Sequence, residues 1–277
     1  IDVVLVGDGF TSASAFAPVA AGAISQFQGA AAGIYSRVPN LFNFHVVSVI
    51  STGTDVGNSS QTDTALGMIV SGPFITADMG RVNLAALNAP DVDVVITIAN
   101  SGSGRANANY NSQLASGGSI RLSSNTGPIT HEIGHAVFHL SDEYEESGLC
   151  SGTPSESLML TEANATAEGT CYKWQGLAGA SCIQGNRYCS TGAWRSASGC
   201  LMRSSGSAAC PVCSHEIDEV LAERRTQSDL APPWVITSRV GGTGSAAGQV
   251  SFVAQAHDDF FSPIDFAFLV DGSFIGE

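Results

Sequence analysis

Ile1-Asp2-Val3-Val4-Leu5-Val6 is a β-branched run stopped at once by Gly7-Asp8-Gly9. A run of this kind bounded by turn residues reads as a buried strand. Thr11 or Ser12 then offers a cap for a helix through Phe16, Ile24 and Phe27, with Pro18 in its first turns. The pattern repeats downstream. Phe44 to Ile50 reads as a second strand, Asp78 to Leu87 as a second helix, and Val92 to Ala99 as another apolar strand. Residues 51–64, rich in Gly, Ser, Thr and Asp, and Asn100 to Gly118, rich in Ser, Gly and Asn, read as loops. Strand and helix alternate, which predicts an α/β layer with a mixed, mostly parallel sheet packed on helices. Ile120 to Ser123 is a further short strand, expected at the sheet edge beside a cleft, and Pro128 suits the first turn of the helix that follows.

Composition narrows the function classes. At 277 residues and 44% apolar content the chain can fill the core of one large domain, or of one domain plus a small second one. A net charge of −14 repels phosphate backbones and anionic lipid, so nucleic-acid and membrane-surface partners are not expected. No apolar run approaches the ~20 residues that a membrane span requires. The chain begins at Ile1 without a charged-then-apolar leader, as expected if a signal peptide has been removed or the chain trimmed.

Cys150, Cys171, Cys182, Cys189, Cys200, Cys210 and Cys213 fall within one 64-residue stretch. That density reads as a loop-rich region stapled by disulfides in an oxidising compartment, and hence as an exported protein. The odd number leaves one thiol over. Cys210 and Cys213 are expected in structural disulfides rather than in a redox or second zinc site. Asn58-Ser59-Ser60 and Asn164-Ala165-Thr166 fit the glycosylation acceptor pattern.

Regular periodicity fades from Ser141 to Ala209, then Ser214 to Arg225 shows helical spacing with Ser214 as N-cap. Ala231-Pro232-Pro233 reads as a linker, dividing the chain into residues 1–228 and residues 229–277. Beyond it Val250 to Ala254, Phe266 to Val270 and Phe274, the last after an Asp271-Gly272 turn, read as strands. Three strands are too few to close a sandwich, so a partial β-sandwich is expected there.

The chemistry is concentrated in His131-Glu132-Ile133-Gly134-His135. Four residues apart on a helix, two imidazoles share a face, and Glu132 sits about 100° round, within reach of a metal-bound water. Zinc hydrolysis needs three protein ligands, an open position and a carboxylate base, the part Glu132 can take. Gly134 permits close backbone approach, and Ile133, Val137 and Leu140 give the helix a buried side. The third ligand must come from beyond the helix, because His139 stands about 12 Å from His131 along a straight axis. Asp142 is best placed for it, with Glu143 and Glu156 as alternatives.

The segment His131 to Tyr144, HEIGHAVFHLSDEY, resembles the site signature of bacterial IgA-peptidase-type metallopeptidases, a group related to the metzincins. Val4 to Thr11 (VLVGDGFT), Asp63 to Gly67 (DTALG), Cys200-Leu201-Met202-Arg203 and Cys210-Pro211-Val212-Cys213 resemble that family too, so the likeness spans roughly residues 1–225. The resemblance implies a metzincin-like zinc peptidase domain. It assigns His131, His135 and Asp142 to one zinc, Glu132 to general-base catalysis and Met202 to a methionine turn beneath the metal. His139 departs from the glycine that relatives place at the bend; histidine enters positive-φ conformations more readily than most residues, and His139 there would serve as a group behind the ligands. Tyr144 is either a donor to the reaction's oxyanion or a packed aromatic. The terminal segment resembles bacterial immunoglobulin-like modules, which fits a multidomain secreted or cell-surface protein.

These readings converge on an exported zinc endopeptidase acting on proteins or glycoproteins. The rival from another class is a peptidase-like binding module or adhesin for host or matrix glycoproteins, without turnover. A zinc amidase or glycan-processing hydrolase is a third reading.

Overall fold

In a computed structural model, the structure describes residues 1–228 apart from 55, 58–63, 72–73, 111–117, 151 and 153, and beyond 228 only the backbone of 234–236, 254–256, 268–270 and 273–276. The order is β1 (Asp2–Asp8), α1 (Ala13–Gln28), α2 (Ile34–Arg37), β2 (Asn43–Val47), β3 (Ile69–Ser71), β4 (Phe74–Thr76), α3 (Met79–Ala86), β5 (Val94–Ala99), β6 (Asn107–Tyr110), β7 (Gly118–Leu122), α4 (Ile129–Phe138), α5 (Glu156–Met159), β8 (Ile183–Asn186), β9 (Cys189–Arg195) and α6 (Pro211–Ser228).

The main sheet has five strands in the order β2-β1-β5-β7-β6. All neighbours pair in parallel except β6, which runs antiparallel to β7. The chain is thus a mixed α/β protein with a mostly parallel sheet. Every residue of β5 and β7 is buried, as in a sheet covered on both faces. The two-residue period sorts them. Val3, Leu5, Ile96, Ile120 and Leu122 join the core beneath α1, α4 and α6, whereas Val4, Val6, Val95 and Ala99 meet Leu66, Met68 and the buried side of α3 on the other face.

Local chemistry fixes the helix starts. Ser12 accepts the Ala15 amide at 3.2 Å, and Asp78 accepts those of Gly80 and Arg81. Asp8, fully buried where β1 ends, is held by Thr64 Oγ1 and Ser51 Oγ and by the amides of Leu66 and Met68, at 2.8–3.2 Å. The Gly-Asp-Gly turn and the Thr64–Gly67 segment therefore meet as a structural joint on the sheet face; Asp63 lies outside the described residues.

Three expectations are corrected. Ile120 to Ser123 is not an edge: β7 lies between β5 and β6, and the edge is β6, inside the polar stretch read as a loop. Its Asn-Ala-Asn-Tyr alternation is only four residues long and carries no β-branched residue, and the strand is held by pairing with β7 and by the Asn107 side chain, which donates to Ile75 O and accepts from Arg121 Nη1. Helix α6 starts at Pro211, not Ser214, since proline has no amide hydrogen to lose at a first helical position. Ser214 lies inside the helix and its hydroxyl accepts from Arg37. Asn164 is no surface acceptor: it is fully buried, its amide binding Ser141 and Glu143, while Asn58 lies outside the described residues.

Cys150–Cys189 and Cys171–Cys182 are disulfides, and the other three cysteines are not in one. Cys210 and Cys213 therefore depart from the expected pairing. Among the described residues no helix is long and apolar enough to cross a membrane. In the segment 229–277, Trp234–Ile236 pairs antiparallel with Ala254–Ala256, and Phe268–Val270 with Ser273–Gly276, where Val270 stands opposite Ser273. Val250 to Val253, Phe266 to Ala267 and the expected Asp271-Gly272 turn lie outside the described residues.

Candidate metal centre

Helix α4 carries the first three residues of the site. Ile129, Ile133 and Ala136 recur at helical spacing and sink into the core under the sheet. At Gly118 of β7 an added Cβ would stand 2.8 Å from Ala136 O, so the glycine is what lets the helix lie this close to the strand. The opposite side of α4 then turns His131, Glu132 and His135 toward a cleft of about 760 Å³, bordered by Ala106, Asn107 and Ala108 at the sheet edge.

The helix ends at His139, which adopts φ 53° and ψ 30°, the left-handed geometry usually taken by glycine. Leu140 N–H returns to Gly134 O at 3.1 Å, closing the last turn and reversing the chain. That reversal brings Asp142 back over the helix. His131 Nε2 and Asp142 Oδ1 are 3.0 Å apart, His135 Nε2 and Asp142 Oδ1 3.2 Å, and the two Nε2 atoms 3.2 Å.

Tautomers follow from the outer partners. His131 Nδ1 lies 3.0 Å from Leu201 O and His135 Nδ1 2.5 Å from Leu140 O. Carbonyls only accept, so both Nδ1 atoms carry hydrogen, and each neutral ring turns its Nε2 lone pair inward. Three acceptors thus converge with no donor among them, an arrangement that calls for a proton or a metal cation. Tetrahedral ligands at ~2.0–2.1 Å from zinc stand about 3.3 Å from one another, and this trio fits that spacing.

Electrostatics agree with the geometry. Burial would raise the Asp142 pKa, but hydrogen bonds and charge from His131 and His135 outweigh it and hold the group well below the carboxylate range. Burial pushes His135 down, yet Asp142 and Glu132 raise it to about 9. Without a metal, a proton fills the gap. Glu132, 5% exposed, is raised by burial, with the charges of His135 and His131 opposing the rise.

The structure brings His131, His135 and Asp142 together and leaves out the alternatives to Asp142. Glu143 turns away from the histidines toward Asn164 and the unpaired cysteines. Glu156 receives hydrogen bonds from Thr166, Tyr172 and the Ala167 amide, and Lys173 lies 3.5 Å from it. His139 borders the cleft outside the trio. Met202 is fully buried against Gly134, and its carbonyl accepts the Glu143 amide at 2.8 Å. Tyr144 hydroxyl accepts from Arg105, whose guanidinium also lies 5.2 Å from the Tyr144 ring centre. Burial and the charge of Asp142 push the Tyr144 pKa up to about 12, so the phenol stays protonated at neutral pH.

Two cleft residues escaped the sequence reading. Tyr188 donates its hydroxyl to Asp142 Oδ2, leaving Oδ1 to the histidines. It belongs to a two-residue turn, Arg187-Tyr188, between β8 and β9, and both residues have positive φ. Such non-glycine geometry costs on the order of 1–3 kcal/mol per residue. The strain is held by Arg187 N–H on Asp142 O, Tyr188 N–H on Tyr144 O and the neighbouring Cys150–Cys189 disulfide. Arg105, from the stretch before β6, pairs with Glu146 at 2.7 Å beside Tyr144. Neither residue sits in a local motif; the glycine-free positive-φ turn is invisible without its tertiary restraints.

No protein-family model and no curated protein matches this chain.

Proposed function

We propose that this chain is an exported zinc endopeptidase of the IgA-peptidase, metzincin-like type, cleaving protein or glycoprotein backbones. The observation that carries the reading is the trio of inward-facing acceptors on His131, His135 and Asp142, 3.0–3.2 Å apart, beside the buried carboxylate of Glu132 in a large cleft. When bound there, zinc supplies a Lewis acid that polarises a carbonyl and makes a water acidic near neutral pH.

The chain's own groups do the rest. Glu132 takes the proton of the attacking water and passes it to the departing amine nitrogen. Burial raises its pKa, which makes it a stronger base for the first half of that transfer. Leu201 O and Leu140 O fix the imidazole planes, and Tyr188 fixes the carboxylate of Asp142. Tyr144, protonated and bonded to Arg105, supplies a donor for negative charge on the scissile oxygen. The free side of edge strand β6 aligns an extended peptide by strand addition, with Ala106 to Ala108 along the cleft.

In this reading residues 1–228 are the catalytic domain, and residues 229–277 belong to an immunoglobulin-like spacer module. Export is supported by two disulfides in a chain whose described helices include no membrane span. The test is digestion of unfolded casein by the purified chain. Cleavage that a chelator abolishes and zinc restores is expected. A chain that binds glycoprotein but leaves it intact whatever the metal would instead be the adhesin, and one that hydrolyses small amides but not polypeptides would be an amidase.

A further inference from the structure

Behind the Asp142-Glu143 dipeptide, on the side away from the histidines, three thiols and a carboxylate meet. Cys210 stands immediately before α6, Cys213 in its first turn, and Cys200 two residues ahead of Met202. Cys200 Sγ is 3.4 Å from Cys213 Sγ, and Glu143 Oε1 is 3.4 Å from Cys213 Sγ and 3.7 Å from Cys210 Sγ. The four ligand atoms all lie within 4.8 Å of one another. Cys200, Cys213 and Glu143 are wholly buried and Cys210 is 4% exposed.

Hydrophobic filling does not explain the group, because it includes a carboxylate. Glu143 Oε1 accepts from Asn164 at 2.9 Å and from the Cys213 and Cys210 thiols at 3.4 and 3.7 Å, while Oε2 is buried without any partner. A buried, half-satisfied carboxylate is costly unless a charge completes it. A disulfide does not explain the group either: it would join two of the cysteines and leave the third beside the same unpaired oxygen. The structure joins none of the three in a disulfide, although it forms Cys150–Cys189 and Cys171–Cys182.

A tetrahedral zinc with sulfur at ~2.3 Å and oxygen at ~2.0 Å separates its ligand atoms by roughly 3.5–3.8 Å. The Cys200–Cys213, Glu143–Cys213 and Glu143–Cys210 separations, 3.4, 3.4 and 3.7 Å, lie in or next to that range, and all four atoms are within 4.8 Å of one another. We propose that Cys200, Cys210, Cys213 and Glu143 form a second, structural zinc site, distinct from the histidine centre. On binding, each thiol loses its proton to solvent and the sulfurs and one carboxylate oxygen complete four-coordination, leaving no open position for a substrate. The anionic set is moderated by the amide of Cys210, 3.4 Å from Cys200 Sγ, by Asn164, and by the positive end of α6.

The site also links the halves of the cleft. Asp142 and Glu143 are consecutive, one facing the histidines and the other the thiols, and Met202 follows Cys200 on the loop that lies under α4. A metal on the thiol side would therefore hold both the Asp142 segment and the methionine loop.

The test uses the whole chain with His131→Ala and His135→Ala, which removes the histidine centre and leaves the thiols. Loaded with zinc and dialysed, the wild type should retain two equivalents and this variant one. Loaded with Co2+, the variant should show thiolate-to-cobalt absorption in the near-ultraviolet, lost on Cys210→Ser with Cys213→Ser. A folded histidine-free variant that retains no metal would overturn the proposal. The unmodified protein gives an independent reading: three thiols that react only after denaturation with chelator support the site, and a mapped disulfide among Cys200, Cys210 and Cys213 refutes it. Peptidase activity is not a readout here, so failure of the enzyme reading would not be mistaken for failure of this one.

Discussion

Gly134 and Met202 touch so closely that a Cβ added to the glycine would stand 2.6 Å from the methionine sulfur. The glycine of the helix motif is thereby matched to a loop nearly seventy positions away, the same loop whose Leu201 carbonyl orients His131. Overpacking of this kind costs about 1–3 kcal/mol. Gly134→Ala should lower the unfolding free energy, measured by denaturant titration, by that amount. The double variant with Met202→Ala should lose less than the sum of the single losses, as a double-mutant cycle will report; strict additivity would mean that the two residues do not press on each other.

Tyr188→Phe removes one hydroxyl and the hydrogen bond to Asp142 Oδ2, with no ligand lost. Outer-shell partners of metal ligands are typically worth 10–100-fold in affinity. Zinc affinity, measured by competition with a chromophoric chelator, should fall by a factor in that range, and the melting temperature of the zinc-loaded protein should fall with it, more than that of the metal-free protein. Unchanged affinity would remove Tyr188 from the account of the site.

The metal-free protein should respond to pH through His135 and Asp142. The His135 pKa is raised from 6.5 to about 9, so its contribution is complete below about 6.5 and is lost as pH rises toward 9. Asp142 is depressed, so its share is present above the ordinary carboxylate pKa and lost only as pH falls below that. Melting temperature in chelator should therefore decline between pH 6.5 and 9. Apparent zinc affinity should rise over the same interval, by up to tenfold per unit for one displaced proton. A metal-free protein whose melting is flat across that interval would contradict the assigned ion pair.

The parts of the fold that were legible in the sequence are those stabilised locally or by simple burial. β1 and β5 announce themselves as β-branched runs because both faces are covered, and Ser12 and Asp78 mark helix starts because the cap and the amides it binds are neighbours. The helix bearing His131 and His135 and the turn at His139 were legible for the same reason. What was not legible depends on partners distant in sequence. β6 is polar and becomes a strand only by pairing with β7, Tyr188 reaches Asp142 across 46 positions, and the thiols find Glu143 across nearly seventy. The odd cysteine count left one thiol over where the structure leaves three, and it could not place a carboxylate among them.

The central claim is that Glu132 moves the proton during peptide hydrolysis, and Glu132→Gln tests it most directly. The amide keeps the size of the side chain and leaves all three proposed ligands in place, so zinc content should match the wild type. Loss of general-base catalysis is worth about 10²–10⁴-fold, and the initial rate of casein hydrolysis at equal zinc loading should fall by at least that lower factor. A zinc-loaded Glu132→Gln protein that cleaves at the wild-type rate would contradict the account.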